Sequence, residues 1–309
     1  MDDPHKPDSM KLLFAPVQGY TDVAYRTLHH RLVGGVDEYY TPFLRYEHHT
    51  IRNKDRRDVD PQLNEGTPTV PQIIARDVDE LRLLVDFLAE QGWRRIDLNM
   101  GCPFHLQTGA GRGSGLLPHV DRVETLLHAA AQYGDIRFSA KMRLGLESPD
   151  ESMALLPLLN ASCLTRIVLH PRLGRQQYKG RPDMEAFALF YEGCTKPLVF
   201  NGDITTIEQV ESLSRQFPRL EGLMIGRGLL ARSTLAREWR EGCAMDAAER
   251  WPLVLRFHQA VLDEARLRLR DSQPVLDRMK AFWEYQEEGM GRKLWKAVKK
   301  CQSMERYPL

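Results

Sequence analysis

A (β/α)8 TIM barrel followed by an all-helical C-terminal domain is the fold this sequence predicts, and three observations carry it. Short apolar runs without polar alternation recur through the first three quarters of the chain, the pattern of parallel strands covered on both faces. Segments of helical spacing separate them, and eight such units in about 240 residues is the arithmetic of the barrel. Polar residues stand at the C-terminal ends of nearly all these strands, where this architecture keeps its active site. A doubly wound sheet is the competing arrangement, but it usually has fewer strands, and no Gly-x-Gly-x-x-Gly follows the first strand here.

Residues 1–10 are polar, lack the apolar stretch of a signal peptide and are read as a disordered leader. The barrel is expected over residues 11–243. Its strands are placed at Leu12–Val17, Glu38–Phe43, Val70–Ala75, Ile96–Met100, Phe138–Met142, Ile167–His170, Leu198–Asn201 and Leu223–Ile225. Between them, Leu81, Leu84, Val85 and Leu88 share one helical face, as do Val123, Leu126, Leu127 and Ala130, and Ile207, Val210 and Leu213. Strand 1 runs into Pro16, Val17, Gln18 and Gly19, strand 3 carries Gln72, and strand 4 leads to Asn99 and Cys102. Strand 5 carries Lys141 and Arg143, and strand 6 ends in His170 and Arg172. Strand 7 ends in Asn201-Gly202-Asp203, and strand 8 runs into Gly226-Arg227-Gly228. Taken singly, Lys141 reads as a snorkelling lysine and His170 as a satisfied core histidine; polar ends on seven strands together mark a site.

Beyond Cys243 the strand signal stops, and residues 244–309 read as helices. Leu255, His258, Leu262, Ala265 and Leu269 are expected on one face, and Val275, Met279, Phe282 and Trp283 on another. In the last helix Arg292, Lys293, Lys296, Lys299 and Lys300 fall within about 120° of one another, opposite Leu294, Trp295, Val298 and Cys301. From Arg292 to Arg306 there are six Lys or Arg against one acid, Glu305. A charge run is commonly a solvated face, yet a one-signed face backed by a tryptophan is also how proteins grip phosphates.

Composition bounds the partners. An apolar fraction of 42% supports a sizeable core, and the net charge of +1 means that any nucleic-acid contact comes from local patches. The five cysteines are widely spaced and form no Cys-x-x-Cys pair, so reduced thiols in a cytoplasmic protein without a metal site are expected. No apolar run approaches the roughly 18 residues of a membrane helix. A monomer is expected.

Two readings of Cys102 stand side by side: a small buried hydrophobe, or a catalyst held at a strand end. Pro103 interrupts the backbone after it, and Gly109, Gly111, Gly113 and Gly115 are read as a loop able to close over a ligand. That run lacks the Gly-Lys-Ser/Thr ending of a triphosphate loop. Gly202, Gly226, Arg227 and Gly228 occupy the loops where this barrel binds phosphate. Gln72 and Lys141 suit the polar edge of a flavin, where negative charge collects on reduction. A thiol of ordinary pKa, about 8.5, is mostly protonated at neutral pH and serves as a general acid. No histidine immediately precedes Cys102, although His105 lies three residues on, so a cysteine hydrolase has little support.

Six motifs in order carry a resemblance. They are Ala15-Pro-Val-Gln-Gly-Tyr-Thr-Asp22, Asp97-Leu-Asn-Met-Gly-Cys-Pro103, Lys141-Met-Arg-Leu-Gly145, His170-Pro-Arg172 with Tyr178-Lys-Gly180, Asn201-Gly-Asp203, and Met224-Ile-Gly-Arg-Gly228. The series resembles the tRNA-dihydrouridine synthase family over roughly residues 12–240. The helical tail also fits, since these enzymes pair an FMN barrel with a C-terminal helical RNA-binding domain.

The resemblance implies reduction of the uracil C5–C6 bond in tRNA by FMN, itself reduced by NADPH. Hydride then passes from flavin N5 to C6, and Cys102 protonates C5 from the opposite face. It assigns FMN binding to Pro16, Val17, Gln18, Gln72, Lys141, His170, Asn201, Gly202, Asp203, Gly226 and Arg227, and the uracil edge to Asn99. Arg143 joins the substrate side, Arg172 and Tyr178 are expected at the rim to help flip the base, and Arg292, Lys293, Lys296, Lys299 and Lys300 to hold RNA. Pro42-Phe-Leu-Arg45 resembles the branch acting on U16.

Two positions depart from the family pattern. Val17 stands where Met is usual and is expected to contribute mainly backbone; Pro171 follows His170, removing a donor and stiffening the loop. A reductase of free pyrimidines, similar to the dihydroorotate and dihydropyrimidine dehydrogenases, remains open, as does an RNA-binding module without chemistry. The basic last helix separates the first of these from a tRNA enzyme, because a small-molecule enzyme has no use for it.

Overall fold

The computed structural model describes residues 10–286 and 290–309. Its strands are β1 (Lys11–Phe14), β2 (Glu38–Tyr40), β3 (Tyr46–Glu47), β4 (Thr50–Ile51), β5 (Thr69–Val70), β6 (Gln72–Ile73), β7 (Arg95–Met100), β8 (Arg137–Gly145), β9 (Leu164–Leu173), β10 (Leu198–Asn201) and β11 (Leu220–Ile225). One parallel sheet runs in the order β5-β2-β1-β11-β10-β9-β8-β7-β6. Its two ends, β5 and β6, are consecutive pieces of one segment, so the sheet closes on itself as a barrel.

The eight expected strands are all present, the third broken at Pro71. The Pro71 carbonyl accepts from Asp97 N (2.8 Å), so its missing N–H lies on the β7 side. Pairing to β7 accordingly begins only at Gln72, opposite Asp97, while Val70 pairs with Tyr40 of β2. Residues 15–17, expected in the first strand, leave the sheet after Phe14 and enter the mouth. The hairpin β3–β4 is an addition; its turn puts His48 and His49 at φ 51° and 61°, which two-residue turns usually give to Asn and Gly.

Alternation along the strands creates two apolar layers. Leu13, Tyr40, Val70, Val168, Val199 and Met224 fill the barrel interior. The opposite faces pack against helices, among them α1 (Val23–Leu32), α2 (Asn53–Asp58), α3 (Val78–Glu90), α4 (His105–Thr108) and α5 (Val120–Ala131). There follow α6 (Asp150–Ala161), α7 (Met184–Gly193), α8 (Ile207–Gln216), α9 (Arg227–Ala231) and α10 (Leu235–Glu241). The stripes expected on α3 and α5 are buried, whereas on α8 only Val210 is fully so. At the N-terminal end of the barrel Arg166 Nη1 donates to Glu38 Oε2 (2.5 Å) and Arg166 also pairs with Glu221, closing the floor with charge.

Met10 is buried at 7% exposure, so core packing already begins at the last residue of the expected leader; residues 1–9 lie outside the described residues. After Gly242 caps α10 in the left-handed conformation (φ 66°), the chain continues in α11 (Ala247–Arg268), α12 (Ser272–Trp283) and α13 (Arg292–Lys300). Asp246 and Glu249 form a capping box that starts α11. Its buried face is Val254, Phe257, His258, Val261, Leu262 and Ala265, while Leu255 is 41% exposed. The buried stripe is thus rotated from the expected one: Leu255 lies about 100° from Val254 and points outward. Phe257 packs on Tyr25 of α1 (4.9 Å between ring centres) and on Phe282 of α12 (5.2 Å). Arg278 of α12 donates to Tyr20 O (3.0 Å) and Asp22 Oδ1 (2.6 Å), tying the tail to the loop after β1. Among the described residues no helix is long and apolar enough to cross a membrane.

Candidate active site

A cavity of about 760 Å³ opens at the C-terminal ends of the strands, within the size range of small-molecule and cofactor sites. All eleven residues expected to hold the cofactor line it: Pro16, Val17, Gln18, Gln72, Lys141, His170, Asn201, Gly202, Asp203, Gly226 and Arg227. Asn99, Cys102, Arg143, Arg172 and Tyr178 line it too. The five cations of α13 do not; they are exposed on a helix outside the lining.

Cys102 owes its place to β7. Asp97 and Asn99 point into the barrel, between Ile96, Leu98 and Met100, which face the helices. Asn99 Oδ1 accepts from Gly101 N (3.1 Å) and Cys102 N (2.8 Å), and Asn99 Nδ2 donates to Gln72 Oε1 (2.8 Å). Gln72 Nε2 donates to Asp97 Oδ2 (2.7 Å). The thiol is 6% exposed and packs with Phe43 and Ile74. Burial pushes its pKa up, against the Phe104 N–H and the charges of Arg143, Lys141 and Arg45. A neutral thiol, able to give a proton, is the form present at neutral pH.

The glycine-rich run is not a lid. Gly113 has φ 59°, and a Cβ there would lie 2.6 Å from Cys102 O; one on Gly115 would lie 2.5 Å from Thr108 O. Ser114 N and Oγ both donate to Cys102 O (3.0 and 3.1 Å). These glycines exist for close backbone approach, and the segment from Gly113 buttresses the cysteine from behind. Buried Arg112 fastens it, with Nε donating to Glu80 Oε2 (2.9 Å) and Nη2 to Tyr46 O (3.1 Å).

Cations crowd the wall formed by β8 and β9. Lys141 has no hydrogen-bond or ion-pair partner among the described residues. Burial and Arg143 lower its pKa to about 8, against the opposite pull of Asp97 and Cys102. Arg143 donates from Nε to Gly101 O (3.0 Å) and from Nη1 to Gln177 O (2.6 Å), linking the Cys102 turn to the loop that carries Tyr178. Burial lowers its pKa to about 10. His170 is kept neutral by burial and by Lys141, Arg143, Arg172 and Arg227 around it. Its Nε2 then accepts from Arg172 Nη1 (3.0 Å). Pro171 falls where the β8–β9 register shifts, between the Arg143–His170 and Gly145–Leu173 pairs, so its lost N–H leaves a ladder that is already interrupted.

One expectation needs correction, and the contacts of three other residues narrow what each can offer a ligand. Arg172 is not a rim side chain: it is 1% exposed, held inside by Asp203 and by Gly180 O (2.6 Å). The Asp203 carboxylate is engaged by Arg172 and by Arg227 (2.7 Å), on a residue with φ 38°. Burial alone would raise its pKa, and the two guanidinium groups hold it below the usual range instead. Val17 does not offer its backbone to a ligand, because its N–H donates to Thr21 Oγ1 (2.9 Å) and its carbonyl accepts from Tyr20 and Thr21. The oxygen of Asn99 is taken by the Cys102 turn, so only its amide nitrogen keeps a donor for a ligand.

Tyr178 does stand at the mouth, 49% exposed, with Arg143 (5.3 Å) and Arg227 (5.0 Å) over its ring. Gln18 Oε1 is buried without a hydrogen-bond partner among the described residues. Gly226 precedes α9 and, lacking a side chain, itself offers no cap to that helix start. Tyr20 and Tyr285 also line the cavity, in edge-to-face contact at 5.2 Å, with Tyr20 Oη donating to Glu284 Oε2 (2.5 Å). Tyr285 brings the C-terminal helices to the site and carried no sequence signal; Phe104, next to the Cys-Pro turn, is 53% exposed. No cluster of three or more potential metal ligands occurs among the described residues.

Residues 13–304 match a family model described as dihydrouridine synthase. The chain is 31% identical over 267 residues to a tRNA-dihydrouridine(16) synthase of Pseudomonas syringae pv. tomato, covering 82% of this chain and 84% of that one. It is 31% identical over 228 residues to a probable tRNA-dihydrouridine synthase of Rhodobacter capsulatus, covering 72% and 69%. Among solved structures, the old yellow enzyme from Trypanosoma cruzi superposes with a TM-score of 0.55 at 8% identity, over 76% of this chain and 89% of that one. That likeness bears on the fold alone.

Proposed function

The chain belongs to the dihydrouridine synthase family, and from that premise we propose that it is an FMN- and NADPH-dependent tRNA-dihydrouridine synthase acting on uridine 16. Position 16 rests on the name of the Pseudomonas syringae relative and on Pro42-Phe-Leu-Arg45, of which Pro42 and Phe43 line the cavity. NADPH as reductant, and a monomer working in the cytoplasm, rest on the family resemblance and the cysteine usage. The exposed cations of α13 favour a polyanionic substrate over a free pyrimidine.

The observation that carries the reading is an unpartnered Lys141 ammonium facing the same cavity as a buried, protonated thiol. The donor set fits a flavin: Gln72 and Lys141 can donate to its pyrimidine edge, the orphaned Gln18 Oε1 can accept from it, and the glycine-led start of α9 with Arg227 suits its phosphate. Bound there, reduced FMN supplies the hydride that saturates the uracil ring. Lys141 holds positive charge at the flavin edge, Cys102 holds the proton destined for C5, and Tyr178 offers a ring on which a flipped base can stack.

The test is a titration of the protein with FMN between pH 7 and 9. Lys141 loses its proton near pH 8, so affinity is expected to fall as pH rises through that value. Lys141→Gln should bind more weakly at pH 7 and show little of this dependence. A protein that stays colourless when FMN is added would refute the reading, as would a Lys141→Gln variant with the parent's pH profile.

A further inference from the structure

We propose that Asp97 is a positioning residue for this reaction, setting through Gln72 and Asn99 the orientation in which Cys102 is held. The proposal rests on the reading of Cys102 as proton donor. Asp97 is 0% exposed, with Oδ1 accepting from Ser139 Oγ (2.6 Å) and Oδ2 from Gln72 Nε2 (2.7 Å). No salt bridge to it occurs among the described residues.

The order of donors and acceptors follows from one asymmetry. An ionised carboxylate only accepts, whereas a side-chain amide has a donor end and an acceptor end of nearly the same shape. Facing Asp97, Gln72 must present its NH2 and therefore turns its oxygen to Asn99. Facing that oxygen, Asn99 must present its NH2 (2.8 Å) and turns its own oxygen to the turn beyond. There it receives Gly101 N and Cys102 N. If the two amides reversed, the Asn99 NH2 would meet two backbone N–H groups, and the cysteine turn would lose its anchor. The two backbone N–H groups ask for the same order from the Asn99 end. Asp97 imposes it at the Gln72 end, and the chain is held in one orientation because both ends agree.

Stability alone does not explain this residue. A buried carboxylate without a counter-ion in contact destabilises a barrel interior that an apolar side chain would fill more favourably. Burial raises its pKa, Ser139, Gln72, Lys141 and Arg166 restrain the rise, and the outcome is about 6, so the acceptor-only form prevails at neutral pH. Tyr40, whose own pKa Asp97 helps to raise, faces it from β2.

Exchanging the carboxylate and the amide tests the inference. Asp97→Asn removes the directing charge, and Asn99→Asp leaves a carboxylate at each end of Gln72, so that one end must meet oxygen with oxygen. In the double variant D97N/N99D, a reversed Gln72 satisfies every group. The carboxylate now at position 99 would accept from Gln72, Gly101 and Cys102, and the Gln72 oxygen would accept from the amide now at position 97. The readout is iodoacetamide alkylation at Cys102, followed by peptide mass spectrometry because Cys163 and Cys243 are exposed. Each single variant should raise the alkylation rate about tenfold, the scale of one lost hydrogen bond, and the double variant should return it towards the parent's. In D97N, kcat should also fall with KM for tRNA unchanged. Parent-like alkylation of D97N, a double variant no better than the two singles combined, or a change confined to KM would overturn the proposal. If D97N alone does not fold, the comparison of N99D with the double variant decides. Alkylation needs neither flavin nor RNA, so its outcome is separate from that of the proposed activity.

Discussion

Replacing Cys102 with alanine is expected to lower the rate of dihydrouridine formation by about 10²–10⁴-fold, the contribution typical of a positioned general acid. FMN binding should persist, because Gln72, Lys141, His170 and Arg227 are untouched. The thiol is 6% exposed with its pKa raised by burial, so it enters the reaction protonated. Its backbone is fixed from both sides, by Asn99 in front and Ser114 behind. The smaller side chain removes one buried sulfur, and destabilisation of about 1 kcal/mol would leave the protein folded. Single-turnover reoxidation of the reduced enzyme by tRNA reads the step directly. A variant that reoxidises at the parent's rate would remove Cys102 from the chemistry.

The second large effect concerns α13. Reversing Lys293, Lys296 and Lys300 to glutamate should weaken tRNA binding at low salt by at least about a hundredfold. Its salt dependence should flatten by about 0.9 in slope for each phosphate no longer neutralised. These three side chains are exposed and have no ion-pair partner among the described residues. Lys299 is left in place because its ammonium lies 4.6 Å from the Trp295 ring centre, where its loss would disturb the helix's own packing. FMN affinity should not change, since α13 does not line the cavity. Filter binding or fluorescence anisotropy across a salt series measures both quantities. An unchanged slope would make the helix an ordinary solvated face.

The barrel was readable because buried parallel strands are written as apolar runs, and the site because polar residues gather where those runs stop. Lys141 and His170 stand out only as members of that gathering, and Cys102 by itself leaves two readings open. Partner choice was not readable. Arg172 looked like a rim residue because nothing in the sequence tells that Asp203, 31 positions on, faces it. The glycines after Cys102 read as a loop able to close over a ligand because close approach and flexibility both call for glycine, and only packing separates them. The β3–β4 hairpin lacked periodicity, its two strands being two residues each, and its turn lacked Asn or Gly. Tyr285 reaches the mouth only through the docking of α11 and α12 on α1. Asp97 stood in plain view within the Asp-Leu-Asn-Met-Gly-Cys-Pro motif, but its influence runs through two amides whose orientation only coordinates reveal.

The most direct test maps dihydrouridine in the tRNA of cells that lack this gene, complemented with either the parent or the Cys102→Ala form. Dihydrouridine at position 16 should be absent without the gene, return with the parent and stay absent with the variant. Position 16 reduced in all three strains would contradict the proposed function.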